Sequence, residues 1–179
     1  GQDAYRRKAM RADHFDYQRD GGYFVTTVIH HRAHLLGRVE GGTVVLSDAG
    51  AMVEHFWFEL ENKFPGLQLD AYVIMPNHLH GILQVRPTSS LEAGSYSPGD
   101  IMRWFKTQTT NAYIRGVKQA EWPRFDGHFW QPQYWDHIVR NDAELQRIRE
   151  YVLDNPVAWE YDPNNADSDD AWHHHWPDN

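Results

Sequence analysis

Two histidines separated by one residue, His78 and His80, lie inside the apolar stretch AYVIMPNHLHGILQV. Residues two apart in a β-strand face the same side, so both imidazoles would project together while Leu79 points into the opposite layer. Two neutral imidazoles arranged in this way can hold a divalent cation. The spacing also allows a purely structural interpretation, in which backbone groups or water satisfy the paired rings inside the protein.

A second pair of polar side chains, Tyr151 and Asn155, lies in the segment NDAELQRIREYVLDNP. The segment is predicted to be an amphipathic helix whose apolar stripe consists of Leu145, Ile148 and Val152. Tyr151 and Asn155 are four residues apart on one face beside this stripe, so a phenol and an amide would point toward the sheet together. Alternatively, Tyr151 is a core-edge residue with a solvated hydroxyl and Asn155 an ordinary residue at a helix end. The charged residues expected on the solvated side are Arg147, Arg149 and Asp154.

The rest of the sequence predicts the elements that must position these side chains. Aromatic and β-branched runs predict strands at 23–30, 67–75, 78–85 and within 129–139, the last confined to an edge by Pro132. Gly41-Gly42 predicts the tight turn of a hairpin spanning 35–46. Helices are expected to begin near Asp48, Pro98 and Asn141. This order is typical of an α+β fold, a ferredoxin-like antiparallel sheet with packed helices in a single domain.

Periodicity and helix-breaking residues also predict the buried faces and ends of the helices. The apolar face of the first helix is predicted to consist of Met52, Val53, Phe56 and Leu60, and that of the second of Ile101, Phe105, Gln108 and Ala112. We expect Gly116 to lie just past the end of the second helix. Asn141 and Glu144 have the spacing of a capping box at the start of the third, and Pro156 is expected to end it.

Length and composition narrow the class of protein. A chain of 179 residues with 41% hydrophobic and 14% aromatic residues has enough apolar material for the core of one compact domain. No apolar run is long enough for a membrane-spanning helix, so we expect no membrane partner. The absence of cysteine excludes a disulfide framework, a thiolate zinc site and a cysteine nucleophile, and fits a reducing cytoplasmic location.

The net charge of −8 argues against a protein that simply coats nucleic acid. Seventeen Lys and Arg and nineteen Asp and Glu precede residue 160, so most of the excess acid lies in the tail of residues 160–179. Contacts with phosphate would therefore come from local basic clusters. The candidates are Arg6, Arg7 and Lys8 in a basic arm of residues 1–22, and Arg103 and Lys106 on one helix face. Disordered or simply solvated charges are the alternative for both clusters.

Three ordered motifs carry a resemblance to a known family. The sequence resembles the HUH-type single-tyrosine transposases in three segments, which are the strand with MPN followed by HLH, the segment WQPQYWDHIVRN and the terminal REYVLDNP. The REP-associated tyrosine transposases, relatives of the insertion-sequence enzymes that move single-stranded DNA, are the branch that the sequence resembles most. The resemblance extends from Tyr23 to Trp159, so residues 23–159 are expected to form the catalytic domain.

The resemblance implies a role for each candidate residue. His78 and His80 would bind a divalent metal, Mg²⁺ or Mn²⁺, with Asn155 as a third contact. Tyr151 would be the nucleophile, forming a 5′-phosphotyrosine link and releasing a 3′-hydroxyl. The basic arm with Arg6, Arg7 and Lys8 would lie near the DNA. The implied function is a metal-dependent endonuclease and strand transferase acting on single-stranded or hairpin DNA, in the cytoplasm.

Two other classes of function stay open at this point. Ferredoxin-like sheets also bind single-stranded nucleic acid without catalysis, by stacking bases on aromatic side chains. A histidine-based hydrolase could instead use its metal to activate water. The assembly is open as well, because relatives that transpose autonomously pair two subunits, which makes a homodimer one expectation and a monomer the other.

Overall fold

A computed structural model describes residues 21–86 and 96–165 of the chain. A four-stranded sheet has the order β4-β5-β1-β6, and β2 and β3 form a separate two-stranded sheet. The strands are β1 (Gly21–Val28), β2 (Gly37–Glu40), β3 (Thr43–Leu46), β4 (Leu67–Met75), β5 (His78–Val85) and β6 (Trp135–Val139). The helices are α1 (Asp48–Lys63), α2 (Pro98–Ala120) and α3 (Asp142–Ala158). Short 3₁₀ turns lie at His30–Arg32, Trp159–Tyr161 and Pro163–Asn165.

The topology confirms the predicted α+β class. Strand β1 pairs antiparallel with both β5 and β6, and β4 pairs antiparallel with β5. In chain order the main sheet and its helices follow the pattern β1-α1-β4-β5-α2-β6, with α3 after the last strand. This is the split βαβ arrangement of ferredoxin-like folds. Helices α1 and α2 contribute to one buried cluster and α3 to another, so the helices cover opposite faces of the sheet.

The hairpin and the edge strand are also confirmed. Gly41 and Gly42 both have positive φ, 55° and 73°, as the tight turn between β2 and β3 requires. Among the described strands, β6 pairs only with β1 and lies at the edge of the sheet, and it starts at Trp135, after Pro132. A proline lacks the N–H that a central strand needs, so its position before an edge strand follows from the backbone chemistry.

The buried face of α1 differs from the prediction, although the helix begins at Asp48 as predicted, with Ser47 as its N-cap. Trp57 is fully buried, whereas Phe56 is only half-buried. The reason lies on β5, because a Cβ built on Gly81 would lie 2.3 Å from the Trp57 ring. The missing side chain of Gly81 therefore makes the space that the indole fills, a long-range match that helical periodicity alone does not reveal.

Helix α2 is longer than predicted. It continues through Gly116 to Ala120 and ends at Glu121, whose φ of 59° is left-handed. Gly116 lies inside the helix because the Trp122 ring packs on it, at 2.1 Å from where a Cβ would be. Gln108 is half-buried, and Thr109 takes the buried position, where its hydroxyl accepts a hydrogen bond from Trp130 Nε1 at 2.8 Å.

Helix α3 begins as predicted but does not end at its proline. The Asn141 side chain accepts from the Glu144 backbone N–H at 2.9 Å, which confirms the N-cap. The Glu144 carboxylate accepts from the backbone N–H of Arg140 instead of that of Asn141, so the capping box is only half formed. Pro156 lies inside the helix, two residues before its end, where the missing proline N–H removes a single intrahelical bond.

The packing on Gly116 makes a testable prediction for stability. We expect Gly116→Ala to lower the free energy of unfolding by about 1–3 kcal/mol, because the added methyl group must displace the Trp122 indole. Urea denaturation followed by far-UV circular dichroism measures the effect.

The matched control is Gly99→Ala in the first turn of the same helix. A Cβ there would meet its nearest neighbours at 3.4 Å, an ordinary contact, so this variant is expected to be neutral or slightly more stable. Equal effects of the two substitutions would contradict the packing argument.

Candidate active site

The two histidines lie side by side on the face of the sheet that α3 covers. His78 is paired with Val28 of β1, and His80 with Thr26 of the same strand. Their ring centroids are 4.7 Å apart, and Leu79 between them points into the core on the opposite face. Both residues are almost completely buried, with exposed fractions of 0% and 1%. The period-2 prediction for this strand is thus confirmed.

Hydrogen bonds determine the orientation of the His78 imidazole. Its Nδ1 lies 2.7 Å from Asn77 Oδ1. The Asn77 amide nitrogen donates to two backbone carbonyls, those of Arg32 at 3.2 Å and Asn164 at 2.7 Å, so the amide oxygen must face the ring. An amide oxygen only accepts, so Nδ1 carries the hydrogen of the neutral ring and Nε2 carries the lone pair. Metal-binding histidines are commonly held in this way by a partner on the other ring nitrogen.

The His80 imidazole is held by a hydroxyl and an aromatic ring. Thr26 Oγ1 lies 2.7 Å from Nδ1 of His80, across the β1–β5 ladder. The Phe24 ring stacks on the imidazole with centroids 5.4 Å apart and an interplanar angle of 23°. Both contacts come from alternate residues of β1, so the strand that lies next to β5 fixes the ring.

Helix α3 brings Tyr151 and Asn155 to the same place. The Tyr151 ring lies 5.5 Å from the His80 ring and 6.1 Å from that of Phe24, in edge-on geometry. Asn155 is buried, and its Nδ2 donates to the backbone carbonyl of Tyr151 at 2.9 Å. Hydrogen bonding from the Asn155 side chain also influences the pKa of both His78 and Tyr151. The structure therefore brings the four predicted residues into one cluster.

Burial determines the protonation states in this cluster. It lowers the pKa of His78 to about 3, with hydrogen bonding to Asn155 acting in the opposite direction, so the ring is neutral at physiological pH. Burial raises the pKa of the Tyr151 phenol, hydrogen bonding to Asn155 lowers it and the charge of Asp162 raises it further. A neutral imidazole is the form that binds metals, and a protonated phenol must lose its proton before or during an attack on phosphorus.

The residues that follow α3 cover the cluster. The Trp159 ring lies 6.0 Å from the His78 ring and 5.4 Å from that of His34. Asn164 is buried, and its backbone carbonyl accepts a hydrogen bond from the Asn77 side chain. This residue lies in the segment from residue 160 onward that the sequence predicts to be an acidic tail. The cluster is thus enclosed by residues that follow α3 as well as by the sheet and the helix.

The donor set for a metal is small. Within residues 21–86 and 96–165, no group of three or more His, Asp or Glu residues is placed to hold a metal ion. The side chains available in the cluster are therefore the imidazoles of His78 and His80 and the amide of Asn155.

Among the described residues, none of the helices combines the length and the apolar character that crossing a bilayer requires.

The prediction that Arg149 lies on the solvated side of the helix is wrong. Its guanidinium instead forms a two-pronged ion pair with Asp70, a fully buried residue of β4. Arg147 and Asp154 are exposed, as expected. Helical periodicity could not identify Arg149 because its partner is far away in sequence. The available signal was a lone carboxylate, Asp70, inside a mostly apolar strand.

The predicted DNA-binding residues fall into different parts of the chain. Arg6, Arg7 and Lys8 lie outside the described residues. Arg103 is exposed, with 80% of its side chain accessible. Lys106 is partly buried; its ammonium donates to the carbonyls of Gln131 at 2.8 Å and Gln133 at 3.1 Å, and burial lowers its pKa to about 8. Both residues lie on α2, which packs on the sheet face opposite the histidines. A contact with DNA stays a prediction for all five.

The contacts of Lys106 predict a structural effect that Arg103 does not share. Lys106→Met is expected to lower the free energy of unfolding by about 1.5–3 kcal/mol, because two carbonyls lose a charged donor. Arg103→Met, on the same helix, should change it by less than about 0.5 kcal/mol. Thermal and urea denaturation of both variants measures this difference. Equal stability of the two variants would contradict a tethering role for Lys106.

Comparisons with known proteins identify the class. A family model described as "Transposase IS200 like" matches residues 45–155. An uncharacterized protein of Haemophilus influenzae is 32% identical over 176 residues, covering 88% of this chain and 92% of that protein. A REP-associated tyrosine transposase of Escherichia coli is 26% identical over 141 residues, covering 79% of this chain and 69% of that protein.

A solved structure agrees with the fold. It is that of a REP-associated tyrosine transposase bound to a REP hairpin, with a TM-score of 0.58 and 23% identity, covering 83% of this chain and 74% of that one. The family match spans β3 to the end of the Tyr151–Asn155 pair and includes both histidines. The chain belongs to the IS200-like transposase family. Within that family it is similar to the REP-associated tyrosine transposases, as the sequence motifs predict.

Proposed function

We propose that the protein is a metal-dependent endonuclease and strand transferase that acts on single-stranded DNA near hairpin-forming repeats. The observation that carries this proposal is the convergence of Tyr151, Asn155 and the two imidazoles in one cluster, in a chain of a transposase family. The hairpin ligand of the structurally similar transposase supports hairpin DNA as the substrate.

The reaction begins with the Tyr151 phenol. Its oxygen attacks the scissile phosphorus, the bond from phosphorus to the 3′ oxygen breaks, and the 5′ end of the downstream strand becomes linked to the tyrosine. The phenol gives up its proton and the departing 3′ oxygen gains one, so a free 3′-hydroxyl is released. Because the energy of the phosphodiester is kept in the phosphotyrosine, a second 3′-hydroxyl can reverse the step without ATP.

The cluster has the chemistry of a divalent metal site. Three groups in the cluster are suitable donors for Mn²⁺ or Mg²⁺: the Nε2 lone pair of His78, the neighbouring imidazole of His80 and the amide oxygen of Asn155. When bound, such an ion would neutralise charge on the non-bridging oxygens of the phosphate. Asn77 and Thr26 would serve by holding the rings in their binding orientation.

Access to the cluster requires movement of its cover. Because the imidazoles are buried, a phosphate can approach them only if side chains that cover them shift. Trp159 and Asn164 are the residues of that cover that lie beside His78 and its partner Asn77. Substrate binding is therefore expected to change the environment of Trp159, which its fluorescence would report.

Covalent capture of DNA tests the nucleophile. A single-stranded oligonucleotide carrying a hairpin and labelled at its 3′ end is expected to form a denaturation-resistant adduct with the protein when Mn²⁺ is present. Tyr151→Phe should abolish the adduct and reduce cleavage at least about 10⁴-fold while DNA binding persists, because only the attacking oxygen is lost. Denaturing gels and filter binding on the same samples measure both effects.

The outcomes separate the alternatives. Metal-dependent cleavage retained by Tyr151→Phe would favour a hydrolase that activates water. DNA binding by the wild-type protein without cleavage in Mg²⁺ or Mn²⁺, across a pool of hairpin sequences, would favour a binding module. Tyr161→Phe is the matched control, because that phenol is exposed and lies outside the cluster.

Metal binding tests the histidines separately from activity. His80→Gln is expected to weaken Mn²⁺ binding at least about 10-fold, since it removes one imidazole donor from a small set. Titration calorimetry and the electron paramagnetic resonance of Mn²⁺ provide the measurement without DNA. His55→Gln, which changes an exposed histidine of α1, is the control and should leave Mn²⁺ affinity unchanged. Equal affinities in all three proteins would contradict the ligand assignment.

A further inference from the structure

We propose that Arg149 is the positioning residue for the nucleophile, and that its ion pair with Asp70 sets where Tyr151 stands relative to the imidazoles. The inference rests on the proposed function, because the position of Tyr151 matters for catalysis only if Tyr151 is the nucleophile. The ion pair itself is a feature of the fold. Arg149 lies two residues before Tyr151 on α3, about 3 Å along the helix axis.

The Asp70 carboxylate is completely enclosed by donors. Arg149 Nε donates to Oδ1 at 2.8 Å and Nη2 donates to Oδ2 at 2.6 Å, a two-pronged geometry. The Ala71 backbone N–H adds a bond to Oδ1 at 2.7 Å, and Gln84 Nε2 adds one to Oδ2 at 2.5 Å. The side chain of Asp70 is 1% exposed and that of Arg149 16%, so water contributes little to the charge balance.

The network connects the helix that carries the tyrosine with the strand that carries the histidines. Gln84 lies on β5, four residues after His80 and on the same face by strand alternation. Asp70 lies where the register between β4 and β5 shifts, between Leu69 and Tyr72. Such an irregularity re-aims a side chain, and here a carboxylate reaches the guanidinium of α3.

Stability alone does not account for a buried ion pair. Apolar residues of similar volume are often as stabilising or more so, because removing two charges from water costs free energy. The stripe of Leu145, Ile148 and Val152 already packs α3 on the sheet. Such contacts are non-directional and permit small rotations and slides. The fork of a guanidinium on a carboxylate restricts both, and it does so within one helical turn of Tyr151.

The consequence of losing this restraint is a loss of alignment. Displacement of a reacting group by about 1 Å can reduce a rate about 100-fold, even when the chemistry is intact. A residue that acts only by position should therefore affect the rate of attack much more than it affects affinity for metal or DNA. The same residue should also change the local environment of the Tyr151 ring.

Two variants separate position from stability. Arg149→Lys keeps the charge but loses the fork, and the pair Asp70→Leu with Arg149→Met replaces the ion pair by apolar packing. Both are expected to reduce the single-turnover rate of adduct formation about 10- to 100-fold. The Kd values for Mn²⁺ and for hairpin DNA should change less than about threefold. Arg147→Lys, on the exposed side of the same helix, is the matched control.

A spectroscopic readout makes the test independent of activity. The ¹⁹F chemical shift of 3-fluorotyrosine placed at position 151 depends on where that residue lies relative to the rings of His80 and Phe24. We expect the resonance to shift or split in Arg149→Lys and in the double variant, but not in Arg147→Lys. If the wild-type protein forms no adduct while the resonance still moves, the proposed function fails and the positioning role stands.

An unchanged resonance in both variants, or a wild-type adduct rate in the apolar double variant, would overturn the inference. Should the double variant fail to fold by circular dichroism, Arg149→Lys and Arg149→Gln still decide the question. A loss of adduct explained entirely by weaker Mn²⁺ or DNA binding would likewise count against a positioning role.

Discussion

The packing of α3 on the face formed by β1 and β5 is the constraint on which the site depends. Neither side is complete alone, because the sheet supplies two imidazoles and the helix supplies the phenol and the amide. Ile148 and Val152 pack with Phe24 and other sheet residues in one buried cluster, and this apolar contact brings the polar groups together. The hydrophobic effect thus stabilises the packing of α3 on the sheet, and hydrogen bonds determine how the polar side chains are oriented.

Hydrogen bonds made inside the protein offset part of the cost of burying these polar groups. Asn77 illustrates the principle: its oxygen faces the His78 ring while its nitrogen donates to two carbonyls from distant parts of the chain. A polar core specifies one arrangement more strictly than an apolar core does, since each lost bond leaves a buried group unsatisfied. If the site aligns a nucleophile as proposed, that strictness is useful even where it adds little stability.

Local periodicity explains how much of this site could be predicted from sequence. The period of two in β5 placed both imidazoles on one face, and the helical period placed Tyr151 with Asn155. The partners that fix them could not be found in this way, because Thr26, Arg32 and Asn164 become neighbours only through strand pairing and chain return. The same limit explains why the burial of Trp57 and the packing of Trp122 could not be predicted, since these rings fill the space left by Gly81 and Gly116.

Two opposing demands meet in α3. The proposed function requires that Tyr151 keep its position beside the imidazoles, and that the residues that cover them move when a phosphate enters. The chain separates these demands along the helix, because the Asp70 ion pair holds α3 at Arg149, before the tyrosine, and the cover at Trp159 and Asn164 lies after it. Pro156 lies between the two and lacks the N–H that would tie the last turn to the turn before it. One intrahelical restraint is thus missing between the ion pair and the cover, so we expect the cover to move for substrate entry while the phenol stays aligned.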